Sequence, residues 1–553
     1  GCGVEIKTKE NKEFTKFDIN KCKYGKIIIA TDSDKDGMNI RALILTLFYR
    51  LMPTLIKEGR VYLVEAPLFE IECEGQTYYA VTDREKDNII KSLGNKKIEI
   101  GRNKGIGETS AEATAATIMN PEYKGLYKIT MNDIKKAEES FELFMGDKVA
   151  PRKEYIIENF NKYCDENILI DKEYSSTKEA GEFIIENEMP YATYTITERA
   201  LPQIEDGLKP SQRRGMYTLK KANIIHNKPR LKSSNVEGRV MALHPHSGIY
   251  PTLARMARPD TLNIPFLDSK GAMGIHNSDD INESAGRYTE LRLSEISQEY
   301  FRDMDKSIVP MLDNYDNTLK EPKYLPVTFP AILCNTTIGI ATGFSSNICP
   351  YNFEDVCNNA AKVMLGQDSD IMIPDFSTGG YIVNNKDVFK KLHNTGLGTL
   401  KQRGKYKIVG NEIIFTELPY MSTVEKIESE IIELMANNTL KEVIDVSNDT
   451  DKNGLALSVT FKKNTNTDLL IDKLYKLTNL ENNFSCNFTV LHNDRPVVLG
   501  VKGILEKWCE FRLNTAKKSI QYDLNKIQDE IHLYEGLIKI VNDLKEVADI
   551  IMD

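Results

Sequence analysis

Apolar and polar positions follow two different periods along the first part of the chain. KIIIA (26–30) is a short apolar run that predicts a buried strand, and VYLVEAPLFEIE (61–72) and QTYYAVT (76–82) predict two further strands. IRALILTLFYRLMPTLI (40–56) instead places apolar residues at helical spacing. Strands that alternate with helices predict an α/β unit with a largely parallel sheet.

The rest of the chain changes pattern several times. Residues 107–145 are predicted to be helical, and the charged, weakly patterned stretch 166–185 is predicted to be a connector. Residues 186–330 are expected to be mostly helical, whereas 331–490 contain strand-like segments such as GLALSVTFKK. Since the chain has 553 residues, we expect several domains of mixed α/β and α+β type.

The tail from 504 to 553 has apolar residues at helical spacing and few helix breakers. The apolar positions are Ile520, Leu524, Ile527, Ile531, Tyr534, Leu537, Ile538 and Val541. Two helices or a coiled coil fit this pattern.

Composition argues against some classes of protein. The sequence contains no run of about 18 apolar residues that would span a membrane, and no signal segment. Its nine cysteines include no CxxC pair, which favours neither a zinc site nor a disulfide framework. A reducing, cytoplasmic location is expected.

Charge is distributed unevenly. The net charge of −9 argues mildly against nucleic-acid binding, but residues 207–258 contain a single acid, Glu237. The cations of this basic segment are Lys209, Arg213, Arg214, Lys220, Lys221, Lys228, Arg230, Lys232, Arg239, Arg255 and Arg258. A locally basic stretch predicts a phosphate-binding face, with a solvated lysine-rich surface as the alternative.

An acidic cluster follows the first strand. TDSDKDG (31–37) places Asp32, Asp34 and Asp36 at alternate positions, where a turn lets all three converge on one ion. Carboxylate oxygens suit Mg²⁺, which binds through few carboxylates together with phosphate oxygens. An EF-hand calcium loop is disfavoured because its twelfth position would be Leu43 instead of glutamate. A merely solvated acidic turn is the other alternative.

A second motif, AGRYTEL (285–291), places Tyr288 directly after Arg287. A tyrosine can attack a phosphodiester if its phenol reaches phosphorus in line, loses its proton and lies near cations. The chain has 25 tyrosines, so a tyrosine packed at a helix–loop junction is the alternative for this motif taken alone.

The order of these motifs resembles the DNA-cleavage core of type IIA DNA topoisomerases, the gyrase and topoisomerase IV family. The resemblance covers nearly the whole chain. It rests on the acidic segment and on NKGIGETSAE (103–112), FMGDKVAPRKEYI (144–156), TERALPQIEDGLKPSQRRGMY (197–217), HPH (244–246), ARMAR (254–258), AGRYTEL and NTTIGIATGFSSNICPYN (335–352).

The resemblance implies a domain order. It consists of a partial TOPRIM α/β domain with its helical tail (1–165), a connector (166–185), a winged-helix domain that carries the tyrosine (186–330), a β-rich tower domain (331–490) and coiled-coil helices (491–553).

The resemblance also implies roles for individual residues. Tyr288 would be the nucleophile that forms a 5′-phosphotyrosyl bond, Arg287 would hold the scissile phosphate, and Arg199 in ERALP matches an arginine implicated in catalysis. Asp32, Asp34 and Asp36 would hold Mg²⁺, with Asp34 and Asp36 as the principal ligands. Ile340 would insert between base pairs as an apolar wedge. DNA contacts are implied for Lys209, Arg213, Arg214, His244, His246 and Lys104.

Partners follow from the same resemblance. The substrate would be double-stranded DNA, cut by a homodimer because each tyrosine cleaves one strand. The sequence before Asp32 shows no EGDSA-like motif with the family's further glutamate, and no GHKL ATPase domain is found. ATP would therefore be used by the complete enzyme, through a missing amino-terminal region or a separate polypeptide, and would not bind this chain.

Two other interpretations stay open. One is a catalytically weakened DNA-binding or regulatory relative that keeps the scaffold without strand passage. The other is a TOPRIM nuclease or primase, which would explain the acids but not the series ERALP, GLKP and RYTE.

Overall fold

The chain divides at Arg199 and again around residues 341–344. The computed structural model describes residues 3–5, 17–103, 105–164, 176–245, 248–315, 318–451, 454–542 and 544–552. One unit consists of Gly1–Arg199 with Ala341–Phe344, and the other of Ala200–Ile340 with Ser345–Asp553. We call them unit 1 and unit 2. Both contain helices and strands, and several separate sheets are present.

Unit 1 begins with alternating strands and helices. Its strands are β1 (Ile27–Thr31), β2 (Val61–Glu65), β3 (Phe69–Cys73), β4 (Gln76–Ala80), β5 (Ile98–Arg102), β6 (Leu126–Thr130) and β7 (Thr177–Glu179). Its helices are α1 (Lys35–Leu51), α2 (Pro53–Lys57), α3 (Asp83–Leu93), α4 (Ala111–Ala116), α5 (Ile134–Met145), α6 (Val149–Cys164) and α7 (Ala180–Thr195).

The main sheet of unit 1 is mixed, whereas a largely parallel sheet was predicted. Its order is β1-β2-β6-β7. Strands β1 and β2 are parallel, β2 and β6 antiparallel, and β6 and β7 parallel. A separate antiparallel sheet has the order β4-β3-β5.

Two predictions for unit 1 were wrong in detail. The predicted strand 61–72 is two strands, β2 and β3, with Pro67 between them, because proline has no amide hydrogen to donate to a ladder. The predicted helical stretch 107–145 contains strand β6. Within β6, Tyr127 and Ile129 are buried while their neighbours are partly exposed, which is the period of a strand.

Helix α7 belongs to unit 1, although the predicted boundary was at 186. It lies against α1 and α5, and Phe183 and Ile184 are fully buried. The Arg41 guanidinium of α1 donates to the side-chain oxygen of Asn187 at 2.7 Å. The helix therefore starts at Ala180, inside the predicted connector, of which 165–175 lie outside the described residues.

Unit 2 is longer and has many short strands. Its helices are α8 (Pro210–Lys221), α9 (Ser233–Met241), α10 (Ile249–Met256), α11 (Phe353–Met364), α12 (Lys386–Thr395), α13 (Val424–Ala436), α14 (Thr467–Leu477), α15 (Val501–Asn542) and α16 (Leu544–Met552). The strands up to the predicted tower are β8 (Leu231–Lys232), β9 (Leu267–Lys270), β10 (Glu290–Leu293), β11 (Met311–Asp313) and β12 (Lys320–Pro322). The later strands are β13 (Thr337–Ala341), β14 (Phe344–Ile348), β15 (Tyr381–Ile382), β16 (Leu397–Arg403), β17 (Lys405–Val409), β18 (Glu412–Glu417), β19 (Val443–Asn448), β20 (Leu457–Phe461), β21 (Glu481–Asn487), β22 (Thr489–His492) and β23 (Arg495–Val498). The last residue of β13 and the first of β14, Ala341 and Phe344, are assigned to unit 1.

These strands form several small sheets. A sheet of order β8-β10-β9 lies beside α8 and α9, and β11-β12 and β22-β23 are hairpins. Five strands have the order β13-β14-β21-β16-β15 and four have the order β17-β18-β20-β19. The prediction of a mostly helical 186–330 holds only up to Met256, since the described part of 257–330 contains β9–β12 and short 3₁₀ turns.

Two hydrophobic cores hold unit 2. The larger one joins α8, α10, β10 and the start of α15, and includes Leu219, Leu253, Leu291, Phe488 and Trp508. A smaller, separate core fills the space between the β17-β18-β20-β19 sheet and helices α13 and α14. The strand-rich prediction for 331–490 agrees with this arrangement.

The tail forms the two predicted helices, α15 and α16. The apolar positions identified in the sequence are between 46% and 67% exposed in the single chain. No helix in the described part of the chain is long and apolar enough to span a bilayer.

Candidate functional site

The acidic turn connects β1 to α1 in unit 1. Asp34 caps α1, because its Oδ1 accepts a hydrogen bond from the amide of Gly37 at 2.8 Å. Asp32 is exposed, and its Oδ1 accepts from the amide of Ile106 at 2.7 Å. A strand precedes this turn and Leu43 lies within α1, so the segment is not an EF-hand loop.

The third aspartate pairs with Arg199. This arginine lies in a π-helical turn, Ile196–Ala200, a distortion that is frequent at functional sites. Its guanidinium donates to both carboxylate oxygens of Asp36, with 2.7 Å between Nη1 and Oδ1, and lies 5.0 Å from the ring centre of Tyr194. Burial would lower the pKa of Arg199, but its contacts with Asp36 and Tyr194 outweigh burial and raise the pKa.

The three carboxylates thus contact three different partners. Among the described residues, no group of three or more histidine, cysteine or acidic side chains is arranged to hold a metal ion. The predicted convergence of all three aspartates on one ion is therefore not present in this arrangement, because Asp36 turns toward Arg199. The donor chemistry still fits Mg²⁺, which needs only one or two carboxylates when phosphate oxygens complete its shell.

Tyr288 lies on an exposed turn of unit 2 and is not packed in a core. Its side chain is 66% exposed. Its amide donates to the carbonyl of Ala285 at 2.8 Å, which closes a turn just before β10. The guanidinium carbon of Arg287 lies 4.6 Å from the centre of the tyrosine ring, within the range of a cation–π contact. The phenol is therefore accessible to a bulky substrate and has a cation beside it.

Buried hydroxyl groups hold this turn, and sequence reasoning missed them. Thr289 is fully buried, and its Oγ1 lies 2.7 Å from the Ser233 hydroxyl and 2.8 Å from the Tyr250 hydroxyl. The Ser233 amide donates to the Thr289 carbonyl at 3.0 Å, and the Tyr250 hydroxyl donates to the Ser284 carbonyl. These residues are far apart in sequence, so no local spacing could have revealed the cluster.

The predicted DNA-contacting arginines of α8 have structural partners. Arg213 is 6% exposed and donates to both carboxylate oxygens of fully buried Asp206, at 2.7 and 3.0 Å. Arg214 makes a two-pronged ion pair with Glu321 of β12, at 2.7 and 2.9 Å. The predicted DNA contact of Arg213 is not supported, because its guanidinium is buried and satisfied within the protein.

Lys209 is directed inward as well. Its ammonium donates to the carbonyl oxygen of Ile338 at 2.6 Å, and burial, together with nearby Arg255, lowers its pKa to about 8. The exposed cations of the basic segment are instead Lys221, Lys228, Lys232, Arg239 and Arg255. These exposed cations are accessible to a phosphate, whereas Lys209 and the arginines of α8 are partly or fully buried against protein groups. The sequence alone could not distinguish the two groups of cations.

The remaining predicted DNA-contacting residues lie in different settings. Ile340 is 84% exposed on β13, which is unusual for an isoleucine and fits an apolar wedge. The ring of His244 is partly buried and lies 6.4 Å from that of Tyr315. His246 and Lys104 lie outside the described residues.

Comparison with known families accounts for most of the chain. Residues 4–66 match the Toprim domain, residues 95–157 match the carboxyl terminus of the DNA gyrase B subunit, and residues 199–553 match the A subunit of DNA gyrase/topoisomerase IV. The class that these matches define is that of the type II DNA topoisomerases. The chain belongs to the A-subunit family of DNA gyrase/topoisomerase IV, and it joins A-type and B-type segments in one polypeptide.

Individual relatives agree with this assignment. The DNA gyrase A subunit of Ureaplasma parvum serovar 3 is 34% identical over 395 residues, covering 69% of this chain and 46% of that protein. The corresponding proteins of Chlamydia muridarum and Thermotoga maritima are 32% and 31% identical, covering 68% and 66% of this chain and 47% of each relative. The chain thus spans about half the length of the curated relatives that it matches.

Proposed function

We propose that this chain is the DNA-cleavage and religation core of a type IIA DNA topoisomerase, with Tyr288 as its nucleophile. The observation that carries the proposal is the exposed phenol of Tyr288, held on a turn by buried hydroxyl contacts and flanked by Arg287. Exposure alone does not single out this tyrosine, since Tyr381 and Tyr534 are also exposed. The neighbouring guanidinium of Arg287 and the position of Tyr288 within AGRYTEL are what distinguish it.

The proposed step is a transesterification. The Tyr288 oxygen attacks a backbone phosphorus in line and loses its proton, and the bond from phosphorus to the 3′-oxygen breaks. The departing 3′-oxygen takes up a proton, and the 5′ end stays covalently joined to the protein. The new phosphodiester conserves the energy of the broken bond, so the reverse attack reseals the strand without a nucleotide.

Cations would assist this step by stabilising charge on the phosphoryl oxygens. Arg287, whose guanidinium carbon lies 4.6 Å from the centre of the Tyr288 ring, is proposed as one of them, and Arg199 as a second catalytic arginine. Bound Mg²⁺ would supply Lewis-acid stabilisation of phosphate charge. Asp32, Asp34 and Asp36 would hold the ion, with Asp34 and Asp36 as the principal ligands, and Arg199 would compete with the ion for Asp36.

The substrate would be double-stranded DNA. Exposed cations of the basic segment would contact phosphates, His244 would lie along the cut strand, and Ile340 would insert between base pairs. Each tyrosine cuts one strand, so the proposed active form is a homodimer. ATP hydrolysis would come from a GHKL domain outside the described chain. Within this proposal, unit 1 is TOPRIM-like, and unit 2 contains the winged-helix, tower and coiled-coil parts.

A covalent-trapping assay tests the proposal. Wild-type protein is incubated with supercoiled DNA and Mg²⁺ and then denatured with detergent. We expect linear DNA with protein on its 5′ ends. Tyr288→Phe should abolish the adduct and leave DNA binding unchanged, whereas the control Tyr381→Phe, which changes another exposed tyrosine of unit 2, should cleave normally. Cleavage by Tyr288→Phe would show that the nucleophile is misassigned.

One observation favours a second candidate, a weakened or regulatory relative. Asp36 is held by Arg199, and the described acids do not form a three-carboxylate site. A protein that binds and bends DNA but never yields the adduct, even at high Mg²⁺ concentration, would support this alternative. Cleaved DNA with free 5′ ends would instead indicate a nuclease.

A further inference from the structure

The strand that carries Ile340 is held at the two residues that precede it. Lys209 donates from its ammonium to the carbonyl oxygen of Ile338 at 2.6 Å. At the next residue, Gly339 lies so close to the Ala200 carbonyl that a Cβ atom would overlap with that oxygen. Within the described residues, strand β13 lies at the edge of its sheet, with β14 as its one neighbouring strand. An edge strand is hydrogen-bonded to one neighbouring strand, so the contacts of Ile338 with Lys209 and of Gly339 with Ala200 add to its stability.

The supporting segment, residues 200–209, is itself fixed to the core of unit 2. The Ile204 amide donates to the Leu491 carbonyl at 3.0 Å, and the Leu491 amide donates to the Pro202 carbonyl at 2.9 Å. Gly207 has φ +69°, and a Cβ at this position would lie 2.5 Å from the amide nitrogen of Ile332. The segment thus provides a rigid base for Lys209.

Lys209 differs from the exposed cations of the basic segment. Its side chain is partly buried and its ammonium is used on the protein backbone, whereas Arg255 is exposed. A charged donor makes a stronger hydrogen bond to a carbonyl than a neutral donor does. This geometry suits a brace better than a phosphate contact.

We propose that Lys209 is a positioning residue that braces β13 so that Ile340 can hold its place between base pairs. The inference rests on the proposed role of Ile340 as a wedge. Unstacking base pairs costs free energy, and the stack presses back on the inserted side chain. A strand free to recoil would relieve that pressure by withdrawing the isoleucine. The hydrogen bond from Lys209 to Ile338 and the packing of Gly339 against Ala200 oppose this movement of the strand backbone.

A brace and a phosphate contact predict different results. Loss of one phosphate contact should reduce the slope of log K against log salt by about 0.9. Loss of a brace should leave that slope unchanged, reduce DNA bending and loosen β13 even without DNA. The variants are Lys209→Met, which keeps the apolar stem, Lys209→Arg, which keeps a charged donor, and Ile340→Ala. Arg255→Gln is the matched control because it removes an exposed cation from the same segment.

The experiment has two readouts on the full chain. Hydrogen exchange of a peptide spanning 335–341 is measured without DNA, and the bend of a doubly labelled duplex is measured by energy transfer over a range of salt. We expect Lys209→Met to exchange about tenfold faster in this peptide and to lose most of the bend, with an unchanged salt slope. Lys209→Arg should behave as wild type, and Arg255→Gln should lower the slope while bending DNA normally.

Contrary outcomes are distinct. The positioning role of Lys209 would be contradicted if the 335–341 peptide of Lys209→Met exchanged hydrogen at the wild-type rate. It would also be contradicted if this variant bent DNA normally but its DNA binding depended less on salt. Exchange that accelerates throughout the chain would also count against it, since the proposed effect is local. If Ile340→Ala bends DNA like wild type, the wedge itself fails, and with it this part of the proposed function. If only Ile340→Ala loses the bend, the wedge stands and the brace fails.

Discussion

The guanidinium of Arg199 donates hydrogen bonds to both carboxylate oxygens of Asp36. This ion pair joins a proposed catalytic arginine to a proposed metal ligand. The two side chains are 31% and 32% exposed, so the pair is accessible to solvent ions. A cation that binds at the acidic turn therefore competes with Arg199 for the same carboxylate.

We expect Arg199→Gln to tighten Mg²⁺ binding about tenfold, because a competing positive charge next to the ion is removed. DNA cleavage should fall at the same time, since the proposed stabilisation of phosphate charge is lost. Calorimetric titration with Mg²⁺ measures the first effect, and the covalent-trapping assay measures the second. Arg199→Lys, which keeps the charge, should bind Mg²⁺ like wild type. An unchanged or weaker Mg²⁺ affinity in Arg199→Gln would contradict the competition.

A second prediction concerns the buried pair of Arg213 and Asp206. The side chains are 8% and 0% exposed, and Asp206 also accepts from the amide of Leu325 at 2.9 Å. Removing one partner leaves an uncompensated buried charge, so Arg213→Gln should lower the free energy of unfolding by about 3–5 kcal/mol. Denaturant unfolding followed by circular dichroism measures this change.

The matched control for this prediction is Lys221→Gln. Lys221 is exposed on the same helix, so its replacement should change the free energy of unfolding by less than about 0.5 kcal/mol. It should instead weaken DNA binding and reduce the salt slope. If Arg213→Gln were stable and the salt slope fell, the arginine would be a DNA contact after all.

The contrast between these residues shows what the sequence could predict. Short motifs identified the acidic turn and the Arg287–Tyr288 pair, and apolar spacing over a long stretch identified the tail helices, because each of these signals lies in one continuous segment of sequence. The interior partners of Lys209, Arg213 and Asp36 were not predictable, since they depend on contacts over long sequence separations. A row of cations in sequence does not reveal which of them face solvent.

Fold prediction failed at comparable places. Strand β6 is five residues long and lies between α4 and α5, so its alternation covers only a small part of the stretch that was predicted to be helical. The pairing of β2 with β6 is antiparallel, a long-range property that no local period encodes. Strong local patterns such as β1, α1 and α15 were recognised because they are long or strongly apolar.

Glu188 on α7 predicts a dependence of stability on pH. It is 4% exposed, and burial raises its pKa to about 8, although the charge of Arg152 lowers it somewhat. Because the folded-state pKa lies above the unfolded value, the contribution of this group to stability is fully present below about pH 4.5. It is lost as pH rises to about 8. The loss is on the order of 4 kcal/mol.

We therefore expect Glu188→Gln to be more stable than wild type at pH 8 and close to it at pH 5. Thermal unfolding of both proteins between pH 5 and 8.5 tests this difference. Glu182→Gln is the control, because Glu182 is exposed on the same helix and pairs with Lys136 at the surface. Its effect should be small at every pH. Parallel stability curves for Glu188→Gln and wild type would mean that Glu188 is not held neutral.

The last prediction concerns the tail and the proposed homodimer. Ile520, Leu524, Ile527, Ile531, Tyr534, Ile538 and Val541 are spaced alternately by four and three residues along α15 and are all largely exposed. That spacing is the seam of a coiled coil, in which each side chain packs between residues of a second helix. A second copy of the chain would bury this seam.

Ile531→Asp should weaken dimerisation about a hundredfold or more, because it removes apolar burial twice and places like charges together. Sedimentation equilibrium measures the dimer dissociation constant, and Lys526→Asp, which changes charge outside the seam, should leave it nearly unchanged. Equal dissociation constants for the two variants would mean that α15 is not a dimer contact.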